Sequence, residues 1–121
     1  MQYYHLFSDE DGESRWRNVL ISFADREIAP GAQPISVSNR EPAKATLFLR
    51  LKSGWNEPIR PTERRQLLVA LTGRVIVTAN DGQTREIGPG DVWRIGDRSG
   101  NAHQIHVISD VDFEALMVQI D

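Results

Sequence analysis

Short runs rich in Val, Ile, Leu and Phe recur along the chain, separated by turn-forming dipeptides. The turns are Asp11-Gly12, Pro30-Gly31, Ser53-Gly54, Thr72-Gly73, Asp81-Gly82, Gly88-Pro89-Gly90 and Ser99-Gly100. That spacing is the signature of an all-β sandwich or barrel. Strands are expected over Arg17–Phe23, Ile35–Ser38, Thr46–Leu51, Gln66–Leu71, Arg74–Ala79, Thr84–Ile87, Asp91–Ile95, His103–Ile108 and Phe113–Gln119. No stretch keeps apolar residues at helical spacing for the roughly 10–12 residues of a convincing helix. The best helical candidate, Asp9–Arg17, is too polar to bury a face. A hairpin is expected around Asn80-Asp81-Gly82. Between Ala24 and Pro42 three prolines (Pro30, Pro34, Pro42) break the pattern, so this part reads as a connection with an edge strand. Repeats, linkers and low-complexity tracts are absent from the sequence.

Two strands are apolar on both alternating sets. In Gln66–Leu71, Leu68 and Ala70 share one face while Leu67, Val69 and Leu71 share the other. In Phe113–Gln119, Phe113, Ala115 and Met117 oppose Leu116 and Val118. A strand of this kind needs cover on both sides. Either another part of the chain or a partner subunit must supply it, and two-fold pairing into a homodimer is the expected arrangement.

Composition narrows the function classes. At 121 residues the chain has the length of one domain. Hydrophobic residues at 40% and charged residues at 26% exclude a disordered polymer. The net charge of −3 argues against a nucleic-acid binder; twelve of the fourteen cations are arginine, but they are scattered among acids. With no cysteine there is no disulfide, thiolate metal site or cysteine nucleophile. The longest apolar run, Leu67–Leu71, falls far short of the roughly 20 residues that cross a bilayer. Acidic Asp9, Glu10, Asp11 and Glu13 stand where a signal peptide would be basic and then apolar. The expectation is a cytoplasmic protein without membrane or nucleic-acid partners. Hydrolase-elbow, dinucleotide and phosphate-loop motifs are also missing.

From Gly54 onward the residues follow a known register. Gly54 is followed by five residues, then Arg60, one residue, Thr62, three residues, Gln66, six residues and Gly73. Further on stands Gly88-Pro89-Gly90-Asp91-Val92, with His103 beyond it. In these spacings and in its Pro-Gly-Asp turn the chain resembles the cupin superfamily. The resemblance covers roughly residues 45–119, with 1–44 supplying N-terminal strands and connections. It implies a jelly-roll β-barrel, the double-stranded β-helix, over one domain spanning 1–121.

The departures from the family pattern concern chemistry. Where the family places two histidines and a glutamate from its first motif and a histidine from its second, this chain has Arg60, Thr62, Gln66 and His103. A guanidinium has no lone pair to donate, and a hydroxyl or neutral amide is a poor ligand for metals that favour imidazole and carboxylate. No tightly bound metal or other cofactor is expected. After the second motif's turn, 96–102 lacks the family's Pro-x-Gly and is about two residues longer. Alternation still puts His103 on one face with Ile105 and Val107, while Gln104 and His106 lie opposite.

If Arg60, Thr62, Gln66 and His103 point inward, as the family's ligands do, the barrel holds one cation and three hydrogen-bonding side chains. That set suits a small anionic or polar ligand, because an arginine binds carboxylate through its planar fork. Plainer alternatives stand beside this reading. Arg60 can pair with Glu57 or Glu63, Arg64 and Arg65 can form a solvated face, and His103 can be a core histidine. Trp16, Trp55 and Trp93 read as packing residues, His106 as solvated, and His5 belongs to no motif. Three functions stay open at this point. One is a metal-free cupin binding a small molecule. The second is an enzyme, either an isomerase or lyase using His103 for acid–base work or a metal enzyme with an unusual ligand set. The third is a structural dimer with a vestigial pocket.

Overall fold

The structure, a computed structural model, describes residues 1–59, 64–96 and 103–120. Arg60 and Thr62 therefore lie outside the described residues, as do Glu63 and the stretch before His103. Among the described residues there are twelve strands and no helix. They are β1 Gln2–Ser8, β2 Ser14–Leu20, β3 Ala24–Arg26, β4 Ile35–Val37, β5 Ala45–Leu51 and β6 Asn56–Ile59. The second half contributes β7 Gln66–Thr72, β8 Val75–Thr78, β9 Thr84–Ile87, β10 Val92–Gly96, β11 His103–Val107 and β12 Phe113–Gln119.

Two sheets enclose the core. The larger runs β2-β1-β10-β7-β12-β5 and the smaller β6-β11-β8-β9. All pairings are antiparallel except β1 with β10. Period-two alternation decides which side chains enter the barrel. From the larger sheet come Leu6, Trp16, Leu51, Leu68, Ala70, Trp93, Ile95, Phe113 and Ala115; from the smaller come Val75, Val77, Ile87, Ile105 and Val107. The Pro-Gly-Asp turn closes on itself: the Gly88 amide donates to Asp91 Oδ2 at 2.9 Å, and the Asp91 amide donates to the Gly88 carbonyl at 2.9 Å. It is then tied to β7, since the Gly90 amide donates to the Ala70 carbonyl at 2.9 Å. The hairpin joining β8 to β9 turns at Asn80–Gly82 as the sequence suggests.

Four elements differ from the sequence expectation: β1, β3 and β6 have no counterpart among the expected strands, and the strand expected over Arg17–Phe23 is β2 at Ser14–Leu20. The polar stretch beginning at Asp9 is a turn and then strand β2, because Asp9 Oδ1 accepts the amides of Asp11 and Glu13 at 2.9 and 3.0 Å. A carboxylate that captures amides in this way competes with helix formation. Strand β1 gives little contrast by alternation, because Tyr3, His5 and Phe7 on the outward set are aromatic while the inward set mixes Tyr4 and Leu6 with polar Gln2 and Ser8. Strand β6 contains Pro58, which is tolerated because β6 is an edge strand paired only with β11.

The proline-rich segment forms a separate two-stranded ribbon, β3 with β4, paired to no other strand. Beyond it the chain crosses the outer face of the larger sheet, where Glu41 forms an ion pair with Arg94 of β10. The second apolar face of β7 is thus partly covered by the chain itself. Leu67 and Val69 are half-buried there, whereas Leu71 remains 47% exposed.

Candidate functional site

Strand β7 begins with Gln66, separated by two residues from a segment outside the described residues, and strand β11 begins with His103, which directly follows another. Both side chains are buried, His103 at 2% and Gln66 at 8% exposure. Gln66 stands in register with inward Ile95 on one side and Gln119 on the other. His103 faces inward with Ile105 and Val107, as alternation requires, and His106 opposite is exposed. The structure thus turns two of the four expected site residues into the barrel, from opposing sheets.

A wall of aromatic residues lies beside His103. The ring of Trp93 meets His103 edge-on at 5.5 Å between centroids, and Trp16 lies 6.0 Å from Trp93. Both indoles are packed into the core. The Nε1–H groups of Trp16 and Trp93 are nevertheless buried without a hydrogen-bond partner. Arg85 of β9 stands in register with inward Val77, and its guanidinium lies 5.6 Å from the Trp16 ring centroid and 6.0 Å from that of Tyr4. Its Nε donates to Asn18 Oδ1 at 3.2 Å.

Trp16, Trp93 and Arg85 stand at the candidate site, where the sequence suggests only packing for the two tryptophans and singles out no role for Arg85. A signal existed for Arg85, which shares an alternation face with buried Ile87. Packing Trp16 and Trp93 as core residues was right for their rings and silent about their N–H groups. Of the charged residues near the first motif, Glu57 is exposed on edge strand β6, opposite Ile105 of β11, and Arg64 and Arg65 are also exposed.

A first-row metal does not fit this donor set. Arg60, Thr62 and Gln66 replace the strong ligands the family pattern would supply, leaving one imidazole. Among the described residues no three His, Cys, Asp or Glu side chains gather closely enough to hold an ion.

His5 lies outside the barrel, on the outer face of the larger sheet. Its Nδ1 accepts from Arg17 Nε at 3.0 Å. Burial, then the charges of Arg17 and Arg94, lower its pKa from 6.5 to about 4. Between those two values the unfolded chain takes up a proton that the folded chain refuses, so stability falls as the pH falls through this window. With allowance for solvent screening, wild type should lose on the order of 1–2 kcal/mol from pH 6.5 to 4.5. Chemical denaturation at both pH values checks this. His5→Gln should flatten the loss, and an identical pH slope in the variant would contradict the assignment.

Comparison with known proteins bears on the fold. No protein-family model and no curated protein matches the chain. Solved structures do. The chain is similar to the Cupin_2 domain of an XRE-family transcriptional regulator from Enterobacter cloacae, at 15% identity and TM-score 0.51, covering 63% of this chain and 79% of that one. It is also similar to a predicted oxalate decarboxylase from Thermotoga maritima, at 20% identity and TM-score 0.51, covering 83% and 92%. This chain has the cupin fold. A further cupin-fold likeness is to the DMSP lyase DddQ from Ruegeria pomeroyi, at 21% identity and TM-score 0.53 over 63% of this chain. The match spans 37% of the lyase's length. A regulator and a lyase share this barrel, so the cupin fold by itself selects no activity. No helix of the described residues is long and apolar enough to cross a membrane.

Proposed function

We propose that the interior of this cupin barrel binds a small polar or anionic molecule without a metal. The observation that carries the reading is the pair of buried, unpartnered indole donors on Trp16 and Trp93, set against buried His103. A buried donor left unmade costs about 1–3 kcal/mol, which an acceptor atom of a ligand recovers. Gln66 adds an amide from the same sheet as the two indoles, facing His103 across the barrel, and Arg85 adds positive charge beside Trp16. Arg60 and Thr62 complete the set in this proposal through their motif positions. Carboxylates and sugar acids supply the acceptors and the charge this set would recognise. A thermal-shift screen of small carboxylates, sugar acids and phosphate tests it. At least one should raise the unfolding midpoint, and a panel that moves nothing would overturn the reading.

We also propose that two copies pair through the part of the larger sheet's outer face that the chain leaves open. Phe48 of β5 is 79% exposed there and stands in register with half-buried Leu116, near exposed Leu71. Light scattering should give about twice the 13.7 kDa of one chain, and Phe48→Glu should return it to one. A wild-type mass of one chain would contradict the pairing.

A further inference from the structure

The crossing segment and the larger sheet enclose a groove of about 440 Å³ on the outside of the barrel. That volume falls within the roughly 300–1,000 Å³ of small-molecule sites. Its floor is apolar: Val69 and Val92 stand in register on neighbouring strands, Leu67 lies beside them, and Val19 adjoins from β2. Ser38 and Asn39 of the crossing segment form one rim. At one end lies Arg94, in register with Leu67 and with its guanidinium 5.5 Å from the Tyr3 ring centroid. The Arg94 side chain is 16% exposed, and its Nε is buried with no hydrogen-bond partner.

Two of the three nitrogens of that guanidinium already hold a carboxylate. Arg94 Nη1 donates to Glu41 Oε2 at 3.1 Å, and Nη2 donates to Glu41 Oε1. Glu41 comes from the crossing segment, outside regular structure, and its side chain is 42% exposed. The pairing therefore shows what an incoming anion would meet: a planar fork beside an apolar trough. Neighbouring His5, held neutral near pH 7 by burial and by Arg17 and Arg94, adds no competing positive charge.

We propose that this outer groove is a second binding site, for an amphipathic carboxylate such as a medium-chain fatty acid. The acyl chain would lie along Leu67, Val69 and Val92 while the headgroup takes the place of the Glu41 carboxylate on Arg94. Glu41 acts as an internal stand-in that a ligand must displace. The floor residues Val19, Leu67, Val69 and Val92 are all uncharged, so a small hydrophilic anion gains nothing from them and the acyl chain is what they would add. The site is separate from the barrel interior, because Leu67, Val69, Val92 and Arg94 alternate with the inward Gln66, Leu68, Trp93 and Ile95.

Decanoate is the probe, with decanol as the uncharged control and acetate as the control without an acyl chain. Titration followed by methyl NMR should shift Val19, Val69 and Val92 and leave Val75, Val77 and Val107 of the interior unmoved. Glu41→Gln should tighten decanoate binding by roughly tenfold, since it relieves the competition that keeps the site closed. Arg94→Gln should abolish the preference for decanoate over decanol. Should Arg94→Gln fail to fold, Val69→Trp, which fills the trough from the sheet surface, should block binding instead. Several outcomes would overturn the proposal. These are no binding to either wild type or Glu41→Gln, shifts confined to the interior methyls, or a second copy of the chain protecting Val69 and Val92 in the absence of decanoate. The interior site can fail its own screen without touching these results, because the two sets of methyls report separately.

Discussion

Gly73→Ala is expected to cost the fold about 3 kcal/mol or more. Gly73 closes the turn between β7 and β8 with φ of 76°, a conformation that strains any residue with a side chain. A Cβ at this position would lie 2.5 Å from the Asp112 carbonyl oxygen and 2.8 Å from the Phe113 Cα. Both are backbone atoms, so neither can rotate away. Relief requires the start of β12 to move, and that strand begins with Phe113, 1% exposed in the core. Gly54 supplies the internal control. It has a similar φ of 85° but no atom within 4 Å of its would-be Cβ, so Gly54→Ala should cost about 1 kcal/mol from backbone strain alone. Against a usual total of about 5–15 kcal/mol, the Gly73 variant should lose a large share of its stability in urea unfolding. Equal losses for the two variants would show that the clash is not what fixes this turn.

The second large effect should appear when the interior is filled. A carboxylate present at a hundred times its dissociation constant stabilises a one-site protein by about 2.7 kcal/mol. For a domain of this size that is roughly 10 °C in the unfolding midpoint. Trp93→Phe separates ring from donor. It keeps an aromatic ring against His103 and Trp16 but removes the Nε1–H that has no partner. Because the lost group makes no hydrogen bond in the free protein, the unliganded variant should lose only about 1–2 kcal/mol, from the smaller ring's cavity and not from a broken hydrogen bond. Its affinity for the same carboxylate should fall by about tenfold or more. Trp93→Ala would be uninformative for binding, since emptying a buried indole costs about 3–5 kcal/mol by itself. An undiminished midpoint shift in Trp93→Phe would remove Trp93 from the site.

The architecture was legible where sequence spacing carries geometry. The interval from Gly54 to Gly73 places Gln66 at the start of an inward-facing strand. The Pro-Gly-Asp turn closes through Asp91 as its residue types require. His103 could be set inside the barrel because Ile105 and Val107 share its face. Legibility failed where both faces of a strand look alike: in β1, Tyr3, His5 and Phe7 hide the alternation that Leu6 would otherwise reveal. It failed again where contact is set by tertiary packing. Nothing local in Glu41 or Arg94 announces that residues 53 positions apart will pair across a sheet face. Nor does the sequence of Trp16 and Trp93 say that their donors end up buried without acceptors. Arg85 was readable by alternation with Ile87 and went unread because a single arginine on a short strand suggests a solvated edge.

The interior site is tested most directly by the three indole N–H resonances of the 15N-labelled protein. Trp16 and Trp93 contribute two, and Trp55, 38% exposed outside the core, contributes the third as a built-in reference. Titration with the carboxylate that gives the largest midpoint shift should move the Trp16 and Trp93 resonances downfield, as donors that gain an acceptor do, and leave Trp55 in place. Movement of Trp55 alone, or of none of the three while the midpoint still rises, would contradict a ligand held by the buried indoles.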